Sequence, residues 1–145
     1  MTFSRHVTVD WTGGIMDGNG TAKAGTGAFS LPVTFPRRIG EPEGATSPEE
    51  LIAASHGTCY AMVVAGNLGR RNASTTSTQV TCTVTADKGD AGIKLVSSKL
   101  EVVVEGLAGM SAAEFEAMAK EAEGKCPISN ALRGSLAIEV ETVVK

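Results

Sequence analysis

Alternating apolar and polar side chains over residues 7–11 predict a strand, and a glycine-rich turn over 13–20 leads to a second strand over 21–24. A third strand is expected over 29–35. An irregular loop over 36–46 follows it and carries Arg37 and Arg38 side by side. Ser47-Pro48-Glu49-Glu50 then marks a helix start, with serine at the N-cap, proline at the first helical position and Glu50 placed to close a capping box. The apolar run behind it predicts a helix to Leu68, closed by Gly69. Helical spacing puts Ile52, Ser55, His56, Cys59, Met62 and Val63 on one face, which is expected to be buried.

A threonine- and valine-rich stretch over 75–87 reads as a strand, 88–92 as a turn and 93–105 as a long strand. Ser111-Ala112-Ala113-Glu114 is a second capping box, opening a helix of about 13 residues that ends near Gly124. Cys126-Pro127 starts a short third helix, and 135–144 closes the chain as a strand. The order β-β-β, long helix, β-β, two helices, β predicts an α+β fold. Its mostly antiparallel strands are expected to enclose one long, apolar central helix in a single domain over 1–145.

Composition narrows the function. The 145 residues include 13 basic and 16 acidic side chains, for a net charge of −3, and no basic cluster marks a nucleic-acid partner. The four Phe, one Trp and one Tyr leave little with which to stack on bases. The N-terminus lacks the apolar core of a signal peptide. The longest apolar run, 51–68, is broken by Ser55, His56, Thr58 and Asn67, so no membrane span is expected. These features predict a cytoplasmic protein, where thiols are kept reduced and three cysteines do not form a structural disulfide framework.

Two of those cysteines have settings that point to chemistry. Cys59 lies in the apolar helix, where burial alone makes a thiol inert and a nearby cation is needed to activate it; Arg37 and Arg38 are the near candidates. Cys126 precedes Pro127 at a helix N-terminus, where free N–H groups favour an anionic sulfur. Cys82, in a strand without charged neighbours, reads as structural. His56, Cys59 and Cys126 could also serve as three zinc ligands, but the chain has no CxxC to anchor a site. His56 itself reads as a hydrogen-bonded buried residue. No GxSxG nucleophile motif and no dinucleotide-binding glycine fingerprint occur.

The segment from Ser47-Pro48-Glu49-Glu50 through Ala54-Ser55-His56-Gly57-Thr58-Cys59, followed by Lys125-Cys126-Pro127-Ile128-Ser129, resembles the OsmC/Ohr family of thiol peroxidases. Within that family it looks more like the OsmC branch. Trp11 with its glycine turn and Asp87-Lys88-Gly89-Asp90-Ala91-Gly92 extend the resemblance over nearly the whole chain. The resemblance implies an intertwined homodimer of α+β subunits with active sites at the interface. It also implies a peroxidase that needs no metal, haem or flavin. Residue by residue, Cys59 matches the peroxidatic cysteine, Cys126 the resolving one, and Glu49 the carboxylate after the helix-opening proline. The family arginine falls on Arg38, with Arg37 as the alternative.

On this reading Cys59 becomes a sulfenic acid, Cys126 condenses with it, and a dithiol, such as a lipoylated protein, reopens the disulfide. Tyr60, Met62 and Val63 are expected to give the thiol an apolar approach, which favours organic over inorganic hydroperoxides. Glu49 and Cys59 lie ten positions apart on one helix, about 15 Å along its axis and pointing about 80° apart. Glu49 must therefore act through the arginine, or on a partner's thiol. The competing readings are a redox-sensing or ligand-binding dimer without turnover, and a metal-binding protein using His56, Cys59 and Cys126.

Overall fold

A computed structural model describes all 145 residues, which group into two compact units, 1–51 and 52–145. The first unit is built on β1 (Val7–Thr12), β2 (Asn19–Ala24) and β3 (Ser30–Val33), paired antiparallel in that order. The β1–β2 turn is drawn tight by Gly18 N–H donating to Gly14 O at 2.8 Å and Gly14 N–H donating to Asp17 Oδ1 at 2.9 Å. A side chain on Gly18 would overlap the Gly14 carbonyl oxygen, so this position requires glycine. Strand β1 buries nothing, and its Val7, Val9 and Trp11 are exposed.

Where an irregular loop was expected, the chain forms a one-turn helix, α1 (Phe35–Ile39). Thr34 caps it by accepting from Arg37 N–H at 3.3 Å, and Pro36 pre-sets the backbone of its first turn. A helix this short has no hydrophobic period to read; only its cap betrays it. Thr46 N–H then donates to Pro32 O at 2.8 Å, tying the approach to the next helix back onto β3.

Helix α2 (Pro48–Arg70) starts as expected, with Ser47 Oγ accepting from Glu50 N–H at 3.1 Å. The Glu50 carboxylate does not complete the capping box; it accepts from the Thr46 hydroxyl at 2.8 Å. Nor does the helix stop at Gly69. It closes in a Schellman motif with Asn72 in the left-handed region (φ 54°): Asn72 N–H donates to Gly69 O at 3.1 Å and Ala73 N–H to Leu68 O at 2.9 Å. Asparagine tolerates this conformation, so the glycine was not needed.

The buried stripe of α2 is His56, Tyr60, Val64, Asn67 and Leu68, rotated from the expected face. Cys59 lies half-buried at the edge of that stripe and Met62 is 69% exposed. Apolar residues occur all around α2, so periodicity alone does not select the inward face. An 18-residue window of the 23-residue α2 has a mean hydropathy of 1.2, so by length and composition alone this helix is long and apolar enough to cross a membrane despite its interrupting polar residues. Its polar side chains are bonded at home: the Tyr60 hydroxyl donates to Ala119 O at 2.6 Å and Asn67 Nδ2 to Val63 O at 3.0 Å.

The second unit carries β4 (Ser77–Gly89), β5 (Gly92–Glu105) and β6 (Ala137–Val144), in that sheet order. β4 and β5 form a long hairpin with a register shift between Thr85 and Ala86. β5 buries every second residue, Ser98, Leu100, Val102 and Val104, the two-residue period of a one-sided sheet. These pack with Tyr60, Val64 and Leu68 of α2 and with Phe115, Met118, Ala119 and Ala122 of α3 (Ala112–Glu123). The capping box of α3 is complete, with Ser111 and Glu114 each accepting from the other's N–H, at 3.2 and 2.7 Å. β6 pairs parallel to β5, the one parallel pairing in a mostly antiparallel α+β fold. A parallel neighbour needs a crossover, and α3 with α4 (Pro127–Leu132) provides it.

Candidate active site

Within the second unit, α2 and α4 bring the cysteines together. Cys126 is the N-cap of α4, as its place before Pro127 indicated, and its sulfur accepts from Ser129 N–H at 3.5 Å. Cys59, on α2, puts its sulfur 3.1 Å from that of Cys126. Both are free thiols. A bond of about 2.05 Å is one short approach of about 1 Å away. Cys126 is 0% exposed while Cys59 is only half-buried, so the two residues of the pair differ in their access to solvent.

Burial pushes the Cys59 thiol above its ordinary pKa; the Ile128 backbone counteracts this and contact with Cys126 adds to it. A thiol in such a setting becomes a nucleophile only when a cation joins it. The neighbouring imidazole is not that cation. His56 is fully buried, and burial lowers its pKa, keeping it neutral. Its Nδ1 lies 2.6 Å from Ser98 Oγ and its Nε2 2.6 Å from Ser129 Oγ. Both ring nitrogens are thus engaged by serines. No group of three or more His, Cys, Asp and Glu side chains is arranged to hold a metal ion. Cys82 on β4 packs behind this network, 3.3 Å from Ser98 Oγ, and burial raises its pKa as well.

In the first unit, Arg38 and Glu49 form a two-pronged ion pair. Arg38 Nε donates to both carboxylate oxygens at 3.1 and 3.2 Å, and Nη2 to Oε1 at 2.6 Å. The side chains are 27% and 14% exposed, and the guanidinium lowers the Glu49 pKa. Arg37 turns away to Glu43, at 3.4 Å and largely in solvent. A cavity of about 160 Å³ lies beside Arg38, walled by Trp11, Ile15, Val33, Phe35 and Pro48. Two of the residues expected to give the thiol an apolar approach lie at opposite extremes of burial. Tyr60 is wholly in the core and Met62 stands at the surface of the chain.

This arrangement has relatives. A profile of the OsmC-like protein family matches residues 40–141. Peroxiredoxin OsmC of Escherichia coli is 33% identical over 144 residues, covering 97% of this chain and 98% of that protein. The chain belongs to the OsmC-like family. Organic hydroperoxide resistance protein OhrA of Bacillus subtilis is 37% identical over 101 residues, 68% of either chain. The crystal structure of an organic hydroperoxide resistance protein OsmC from Legionella pneumophila superposes with a TM-score of 0.74 at 26% identity, covering 94% of this chain and 96% of that one.

In this OsmC-like chain the residues singled out from sequence fall into two pairs, Cys59 with Cys126 and Arg38 with Glu49. The two serines that hold His56 were not singled out. Ser129 did leave a signal: it follows Cys126 by three residues, as Cys59 follows His56 by three. Ser98 left none, because its importance rests on a contact 42 residues away.

Proposed function

We propose that this chain is a cysteine-based peroxidase that reduces organic hydroperoxides, and inorganic peroxide less efficiently, to alcohol or water. The observation that carries this reading is the unequal pair of touching thiols: half-buried Cys59 and fully buried Cys126, 3.1 Å apart. Cys59 sulfur attacks one peroxide oxygen, the O–O bond breaks, and the leaving alkoxide takes a proton to become the alcohol. Cys59 is left as a sulfenic acid. Cys126 sulfur then attacks Cys59 sulfur, the S–O bond breaks, and hydroxide leaves as water with the Cys126 proton. A dithiol, such as that of a lipoylated protein, reopens the disulfide by exchange. The two sulfurs hold both oxidising equivalents, so the cycle uses no metal, haem or flavin, and it suits a reducing compartment such as the cytoplasm.

Arg38 supplies the cation in this scheme, and Glu49 orients it. The forked ion pair supports Arg38 over Arg37, whose partner is the exposed Glu43. Residues 1–145 act as one OsmC-like domain within a homodimer, and the Arg38–Glu49 pair serves the thiol of the partner subunit. Ten positions along α2 separate Glu49 from Cys59, about 15 Å. Val7, Val9 and Trp11 on β1 form apolar surface that a single chain leaves in water. The cavity beside Arg38 is apolar, as an alkyl hydroperoxide would require.

The purified chain, given one equivalent of cumene hydroperoxide, should lose the mass of two hydrogens, with peptide mapping placing the bond at Cys59–Cys126. With a dithiol present it should consume peroxide catalytically, and Cys59→Ser should not. Oxidation confined to Cys82 would sink the cycle. A disulfide that forms once but never turns over with any dithiol would point instead to a sensor.

A further inference from the structure

The site holds a second link, parallel to the thiol pair. His56 and Cys59 are three residues apart on α2, and Cys126 and Ser129 are three apart at the start of α4. They meet in antiparallel register. Cys59 faces Cys126 at 3.1 Å between sulfurs, and His56 Nε2 faces Ser129 Oγ at 2.6 Å. Each helical turn is therefore fastened to the other at two points, one of them made of the reacting atoms.

The non-reacting link is built for permanence. His56, Ser98 and Ser129 are all 0% exposed, and no buried side-chain nitrogen or oxygen in the chain lacks a partner. A neutral imidazole has one donor and one acceptor nitrogen, and a serine hydroxyl satisfies either. Ser98 on β5 holds Nδ1, which fixes the ring plane and aims Nε2 at Ser129. Helix α4, by contrast, has six residues, far too few to persist on its own propensity. Ser129 is its only buried residue, and the Ser129 N–H reaches back to the Cys126 sulfur.

We infer that His56 is a positioning residue for the second step. Through Ser129 it anchors the first turn of α4, so that the Cys126 sulfur stays aimed at Cys59 while Cys59 carries the sulfenic oxygen. This rests on the peroxidase reading above and adds to it a residue that touches neither substrate nor either reacting sulfur; the one sulfur it meets is that of Cys82, 3.8 Å from Nδ1. The link governs disulfide closure alone: Cys126 sulfur bonds to Cys59 sulfur as the S–O bond breaks and water leaves. The peroxide step needs only Cys59 and its cation.

Rapid-quench mass spectrometry with dimedone separates the two steps. In Ser129→Ala, sulfenic acid should form at Cys59 within about twofold of the wild-type rate, while disulfide closure slows by about tenfold or more, as misplacing a reacting group by a fraction of an ångström does. The dimedone adduct, and sulfinic acid under excess peroxide, should accumulate in proportion. Ser98→Ala cuts the other arm of the same network and should slow closure less than Ser129→Ala. Should Ser129→Ala not fold, two histidine variants carry the test. His56→Gln keeps an amide near the Nε2 position and should close the disulfide faster than His56→Asn, which keeps one near Nδ1. Closure at the wild-type rate in Ser129→Ala, equal slowing in Ser98→Ala, or the reverse order of the two histidine variants would overturn the inference. Failure of the wild-type chain to form any Cys59 adduct would instead overturn the peroxidase reading beneath it.

Discussion

The sulfur of Cys126 is sealed from solvent while touching, at 3.1 Å, the sulfur of the less buried Cys59. Contact between thiols of unequal access sets an order of reaction. A limiting amount of iodoacetamide should alkylate Cys59 well before Cys126, as read by peptide mass. Cys126→Ser should reduce about one equivalent of hydroperoxide per chain and then stop, trapped as a Cys59 sulfenic acid. Equal labelling of both cysteines would contradict the burial described here.

Arg38 and Arg37 are adjacent but make different contacts, and their substitution should separate them. Removing a charge-stabilising donor costs about 10²–10³-fold in rate, so Arg38→Ala should lower kcat/KM for cumene hydroperoxide by about that much. Arg37→Ala, losing only the exposed contact with Glu43, should change it less than about threefold. Stopped-flow measurement of the peroxide step checks both. A larger loss in Arg37→Ala would reassign the cation.

Acid should weaken the fold in two stages. Burial holds the His56 pKa below its ordinary 6.5, and Arg38 holds that of Glu49 below 4.5. Each folded-state value lies below the unfolded one, so as pH falls the unfolded chain binds the proton first and stability declines. The His56 contribution is complete above pH 6.5 and is lost as the pH falls towards the folded-state pKa. The Glu49 contribution is complete above pH 4.5 and is lost below it. Urea unfolding from pH 8 to about 2 should show His56→Gln with a flatter decline in the upper window. Glu49→Gln should alter only the lower one.

The second unit's core predicts two separable losses. Leu100→Ala empties a fully buried position on the central strand and should destabilise by about 2–5 kcal/mol. Tyr60→Phe keeps the packing but strips the Ala119 carbonyl of its donor, at about 1–3 kcal/mol. Denaturant midpoints measured with unchanged slope give both values. A Tyr60→Phe loss as large as that of Leu100→Ala would mean that the ring itself is displaced.

Local hydrogen bonding explains what the sequence by itself determined. Ser47 and Ser111 marked two helix starts, Cys126-Pro127 marked a third, and two-residue alternation marked β1, because caps and strand periods are written within a few residues. The family resemblance likewise needed only the segments around Cys59 and Cys126. Tertiary structure decided the rest. The inward face of α2 was illegible because apolar residues surround the helix, and packing against β5 and α3 chose Tyr60 and Val64 over Met62. The parallel seat of β6 and the pairing of Glu49 with Arg38, while Arg37 pairs with Glu43, depended on partners outside any local pattern. His56 was read as a buried, hydrogen-bonded residue, but its serines lie 42 and 73 residues away, and only folding brings them to its ring.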